Sequence, residues 1–84
     1  MLFQTTDKKI IKILKSVGCK DVKLESNLRD ELKIDSVMVM SIIIEIEQKF
    51  DVDSLKILPR LSEINIVSDL VEVIDQIKEE ENES

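Results

Sequence analysis

Gly18 and Pro59 are the only glycine and the only proline in the chain. Turns between strands draw heavily on both residues, so a chain with one of each and almost no aromatics is expected to be all-α. Its 84 residues give room for one domain, which buries roughly 60–65% of the surface its unfolded chain exposes. Such a core is too small to enclose a deep permanent cavity. The expected organisation is a single helical domain over residues 1–78 and an acidic disordered tail over residues 79–84.

Twelve basic and eighteen acidic residues give a net charge of −6. That balance disfavours phosphate backbones and anionic membrane surfaces, so no nucleic acid and no membrane insertion are expected. It favours protein partners that display Lys and Arg, because such attraction raises the encounter rate. Cys19 is the lone cysteine, which excludes an intramolecular disulfide and fits a reducing compartment. Met1-Leu2-Phe3-Gln4 lacks the basic start and apolar run of a signal peptide, so a cytoplasmic monomer is the expectation.

Periodicity divides the chain into helices. From Thr6 to Val17 the apolar residues Ile10, Ile11, Ile13, Leu14 and Val17 keep helical spacing, with Lys8, Lys9, Lys12 and Lys15 left for solvent. Thr5 or Thr6 suits the start, and Gly18 suits the left-handed position past the end. Residues 19–35 have no sustained period, although Val22, Leu24, Leu28, Leu32 and Ile34 recur as if pinning a long loop to a core. One short helical turn is expected near Leu28 to Leu32. A second helix is predicted from Ser36 to Phe50 with Asp35 as its cap, a short one near Pro59, and a last one from Ile66 to Glu79 with Asn65 as its cap.

The second helix is apolar on two sides. Val39, Ile42, Ile43, Ile46 and Phe50 form a core stripe, while Val37, Met40 and Ile44 recur at the same spacing on nearly the opposite side. Either another element packs over the second set, making the helix central, or an apolar strip stays exposed as a docking surface. Composition alone leans toward the buried alternative.

The chain has no histidine, so a Ser-His-Asp or Cys-His nucleophile cannot be built, and no metal site is indicated. No Gly-rich phosphate cradle is present either. The expectation is a protein that is not an enzyme. One position suits attachment of a prosthetic group: Ser36, after Asp35 at the start of a helix, where free amides and the positive dipole end favour a phosphodiester. On the residues alone Asp35-Ser36 reads more readily as a capping pair, the commoner use of such residues.

Leu32-Lys33-Ile34-Asp35-Ser36-Val37 resembles the Leu-Gly-x-Asp-Ser-Leu attachment signature of acyl and peptidyl carrier proteins. Glu45-Ile46-Glu47-Gln48-Lys49-Phe50 is similar to the Leu-Glu-Glu-x-Phe ending of that family's second helix, and Ile64-Asn65-Ile66-Val67 to the entry of its last one. The resemblance runs in order from Thr6 to Lys78. It implies an up-and-down four-helix bundle with a short third helix and a long loop between helices one and two. It also implies 4'-phosphopantetheine carried on Ser36, delivered from coenzyme A by a phosphopantetheinyl transferase, with Asp35 assisting the transfer.

The family's recognition face falls by the same resemblance on Val37, Met40 and Ile44, with Glu45 and Glu47 as its charges, facing enzymes with basic and apolar patches. The function implied is an acyl carrier in fatty-acid-like biosynthesis. Departures are also visible: Lys33 stands for the motif's Gly, Val37 for Leu, and Met38 and Ser41 where fatty-acid carriers often place acids. They keep an aminoacyl, peptidyl or polyketide carrier open as the alternative. An unmodified helical adaptor is the reading from a different class.

Overall fold

A computed structural model describes residues 5–83. Among them are four α-helices and no named strand: α1 (Thr5–Ser16), α2 (Ser36–Phe50), α3 (Ser54–Ile57) and α4 (Val67–Glu83), with a 3-10 helix Leu58–Glu63 continuing α3. The all-α expectation holds. Ile10, Ile13 and Leu14 of α1 meet Ile42, Ile43, Ile46 and Phe50 of α2 and Val67, Leu70, Val71, Val73, Ile74 and Ile77 of α4 in one core. The periodic apolar positions drive this packing, since each helix alone would be marginal in water.

Local chemistry explains most boundaries. α1 closes at Gly18, whose φ of 110° is open to glycine, and the Cys19 N–H donates back to the Leu14 carbonyl (3.0 Å). α2 starts at Asp35 and ends at Asp51, which takes a left-handed φ of 57° and donates to Glu47 O (3.0 Å). The start of α1 differs from expectation. The helix already includes Thr5, and the Thr6 hydroxyl donates to Asp75 Oδ1 (2.8 Å), tying α1 to α4 rather than capping it.

Three further expectations are corrected. The segment near Pro59 becomes helical earlier, at Ser54, because Asp53 accepts from the Leu55 N–H (2.9 Å) and caps α3 there. At the entry to α4 the free amides of Asn65 and Ile66 donate to Asp69 Oδ2 (2.9 and 3.1 Å), so Asp69, not Asn65, supplies the capping carboxylate. The last helix, expected to end at Glu79, runs on to Glu83. Lys78 Nζ donates to the Phe50 carbonyl (2.9 Å) and Lys56 pairs with Glu81 (3.2 Å), fastening this last stretch to the body.

Residues 17–35 form no helix. Glu31 and Leu32 N–H groups donate to Asn27 O (3.1 Å each), a hydrogen-bonded turn where one turn of helix was expected. Asn27 Oδ1 takes the amides of Arg29 and Asp30, and Glu31 Oε1 takes the Asn27 N–H in return (3.0 Å). The loop is laced to the entry of α4 by Leu28 N–H to Asn65 O (3.0 Å), Val67 N–H to Ser26 O (3.0 Å) and Ser68 N–H to Leu24 O (2.8 Å). This lacing holds the approach to α2, where the Ile34 N–H donates to Leu28 O (3.0 Å).

Candidate functional site

The backbone into α2 makes one tight feature. Lys33 adopts a left-handed φ of 57°, Ile34 is held by Leu28, and Asp35 is extended at φ −104°, ψ −178°. Asp35 Oδ1 accepts from the Met38 N–H (2.9 Å) and its carbonyl accepts from the Val39 N–H (2.9 Å), the first bond of the helical ladder. Ser36 is therefore the first helical residue, and the amides of Ser36 and Val37 precede that ladder.

Ser36 is exposed, and its hydroxyl joins no hydrogen bond among the described residues. Two other serines of the matched stretch are engaged, while Ser41, Ser54, Ser62 and Ser68 make no hydroxyl bond either. Ser16 donates to Ile13 O (2.7 Å), and the buried Ser26 accepts from the Lys23 N–H (3.0 Å). The capping duty open to Asp35-Ser36 falls on Asp35, which leaves the Ser36 hydroxyl for solvent. A phosphodiester there would meet unpaired amides and the positive helix end, and no side chain closes over it.

The two apolar sets of α2 part company. Ile42, Ile43, Ile46 and Phe50 are buried and Val39 is half-buried, whereas Val37, Met40 and Ile44 are 76%, 53% and 49% exposed. Counting about 100° per residue, Val37, Met40, Ile44 and Glu47 share an arc of about 80° that begins at the residue after Ser36. Glu45 lies off this arc and is half-buried. Glu47 is exposed and also fastens α3, its Oε2 accepting from the Ser54 N–H (3.2 Å).

Leu55 and Leu58, just beyond that fastening, are 71% and 40% exposed and extend the exposed apolar set past α2. Sequence reasoning passed over them as an ordinary apolar run. The available signal was helix length, because a helix of four residues buries little more than one position, here Ile57.

Behind the site lies a cavity of about 140 Å³ lined by Leu28, Arg29, Ile34, Val39, Ile42, Leu61, Ile64 and Leu70. Ile34 and Val39 flank Ser36 in the chain, so the cavity sits at the root of the same feature. Cys19 is buried in the core, and burial pushes its thiol above the usual range, which leaves little thiolate at neutral pH. Among the described residues no cluster of three or more metal-ligating side chains forms, and no helix is long and apolar enough to cross a membrane.

Comparison with known proteins gives no significant match among curated proteins or among solved structures. The family model described as the phosphopantetheine attachment site matches residues 8–74, a stretch that holds most of α1, the loop, Asp35-Ser36, α2, α3 and the first half of α4. Members of this family are carriers that hold 4'-phosphopantetheine covalently. With a match over most of its length and an exposed serine at the head of α2, the chain belongs to the phosphopantetheine attachment site family of carrier domains.

Proposed function

We propose that the protein is an acyl carrier whose arm is attached to Ser36 and whose cargo belongs to fatty-acid-like biosynthesis. The observation that carries the attachment site is the exposed, unbonded Ser36 hydroxyl at the first position of α2, inside the matched segment. A separate phosphopantetheinyl transferase joins the arm to this oxygen. The Ser36 hydroxyl loses its proton and attacks the pantetheine-side phosphorus of coenzyme A, the pyrophosphate bond breaks, and adenosine 3',5'-bisphosphate leaves. Asp35 assists: one carboxylate oxygen is spent on the Met38 amide, and the other is available to the transferase's metal. Val37, Met40 and Ile44, with Glu45 and Glu47, form the docking face for the transferase and for acyl-transfer and synthase enzymes. The family's up-and-down helix order, a monomeric state and a cytoplasmic setting complete this reading, the last supported by the unpaired Cys19.

An acyl cargo is favoured by the cavity at the root of Ser36. Its volume of about 140 Å³ and its mainly aliphatic lining match an apolar cavity of about 150 Å³ that takes up benzene. That is space for about six carbons. An acyl group bound only by the folded state raises stability, so the melting temperature should climb with chain length and level off near that size. A flat profile would point to cargo held in solvent, as for an aminoacyl or peptidyl carrier.

Incubation with coenzyme A and a broad-specificity transferase tests the attachment. Intact mass should rise by one phosphopantetheine, and Ser36→Ala should stay folded yet gain nothing. Continued loading of that variant moves the site elsewhere, and no loading of the wild type leaves the adaptor reading.

A further inference from the structure

We propose that the outward face of α1 is a second docking surface, which takes an acidic segment of a partner protein and is separate from the apolar strip of α2. Lys8, Lys9, Lys12 and Lys15 are all exposed on α1, opposite the buried Ile10, Ile13 and Leu14. At about 100° and about 1.5 Å per residue, Lys8, Lys12 and Lys15 lie within an arc of about 60° over about 10 Å of helix. Lys9 flanks this stripe on the side toward α2, its ammonium 5.5 Å from the centre of the Phe50 ring.

The rest of the chain leaves these charges unanswered. The two ion pairs among the described residues, Lys56–Glu81 and Arg60–Glu63, use none of the four. Charge is also segregated along the chain. Residues 1–25 hold six lysines and three acids, a net charge of +3, whereas residues 26–84 hold six basic and fifteen acidic residues, a net charge of −9. Asp75 of α4 does reach α1, on the Thr6 hydroxyl (2.8 Å), but Thr6 lies about 150° round the helix from the middle of the stripe. With a screening length of about 8 Å at physiological salt, a ligand on the outward face of α1 feels the lysines there first, and the overall negative charge hides a positive face.

Three features select an acidic protein segment over a lipid surface or a nucleic acid. Among the described residues the exposed large apolar side chains all fall between Val37 and Leu58, so the outward face of α1 has nothing to bury in a bilayer interface. All four cations are lysines, point charges without the fork and stacking plane of arginine that suit phosphates and bases. The stripe has the spacing of carboxylates three and four residues apart on one face of a partner helix. The Lys9 contact with Phe50 places that end of the stripe by the end of α2, about 20 Å along that helix from Ser36. A partner seated there leaves Ser36 and the outer strip of α2 accessible.

The test measures, by fluorescence anisotropy, how the full chain binds a labelled helical peptide with glutamates at every third and fourth position. Wild type should bind at about 20 mM salt and release the peptide as salt rises toward about 200 mM. Replacing Lys8, Lys12 and Lys15 together by Gln should weaken binding about tenfold, while replacing them by Arg should preserve it. Neither set should change the melting temperature or loading by the transferase. Equal binding by the Gln variant would overturn the proposal. So would a wild type that ignores the peptide but sediments with vesicles of phosphatidylcholine and phosphatidylserine, or that dimerises at low salt instead.

Discussion

Ile43 and Ile44 are neighbours of identical chemistry on one helix, yet Ile43 is 3% exposed and Ile44 is 49% exposed. The inner face of α2 finds α1 and α4 across the core; the outer face finds no element over it among the described residues. The difference teaches that apolar periodicity reports what a helix can bury, whereas burial itself is decided by how much other chain there is. A domain this small has partners for one side only. An exposed strip of Val37, Met40 and Ile44 costs about what solvating three large side chains costs, roughly 25 cal/mol per Å². Its place beside Ser36 is what the proposed docking face accounts for.

The largest effect expected from this contrast is on folding. Ile43→Ala should remove about 2–5 kcal/mol of stability, as truncations in close-packed cores do. Ile44→Ala should change it by no more than about 0.5 kcal/mol, the range of surface substitutions. Denaturant titration of the two variants reads the difference directly. Comparable losses at both positions would make the outer strip core and abolish the docking face.

The next effect is on partners. Met40→Glu and Ile44→Glu should leave the melting temperature nearly unchanged and weaken contact with the transferase by roughly 2 kcal/mol, the scale of an interface hot spot. Loading kinetics at limiting carrier concentration reads this as a fall in kcat/KM. Wild-type rates in both variants would show that the transferase approaches from another side.

How much of this was open to sequence reasoning follows from the same physics. α1 and α2 were legible because their repeats are long and their ends carry local signals, Gly18 and Asp35, whose action does not depend on the rest of the chain. α3 was not, since four residues make no repeat, and Pro59 drew attention away from the cap at Asp53. The helical run from Glu79 to Glu83 looked like a solvated tail because it is polar all round. What orders it is tertiary: Lys78 reaching Phe50 O and Lys56 reaching Glu81. On its residues Asp35-Ser36 suited either an attachment site or a capping pair until the wider resemblance was weighed, and the exposure of Ser36 required the fold. The exposure of Leu55 and Leu58 could not be read at all, because it depends on where the short α3 lands against α2.

A smaller effect separates the two duties of Asp35, which serves both faces of α2 by starting the helix. Asp35→Ala removes the acceptor for the Met38 amide and should cost about 1 kcal/mol. Asp35→Asn retains a capping oxygen and should cost much less, yet load more slowly, because a neutral amide is a poorer metal ligand than a carboxylate. Thermal melts and loading rates measured on both variants make the distinction. If Asn loads at the wild-type rate, Asp35 acts only as a cap.

The smallest effect concerns Lys33, which stands in the loop that aims both faces of α2. Its φ of 57° brings Cβ against the backbone, at a cost of roughly 1–2 kcal/mol for an L-residue. Glycine avoids that cost but gains freedom in the unfolded chain, which returns roughly 0.5–1 kcal/mol of it. The balance predicts that Lys33→Gly stabilises the fold by about 0.5 kcal/mol, or about 2–4 °C in melting temperature for a domain of this length. The resemblance places a glycine at this very position in the attachment signature, and the observed backbone supplies the reason. Asp21 and Asp51 share the conformation, with φ of 54° and 57°, but Asp is among the residues that tolerate it, so the same substitution there should gain less. A lower melting temperature for Lys33→Gly would mean that the lysine side chain contributes more than its backbone strain costs, and a comparison with Lys33→Asn, which tolerates the same backbone without the charge, would then isolate that contribution.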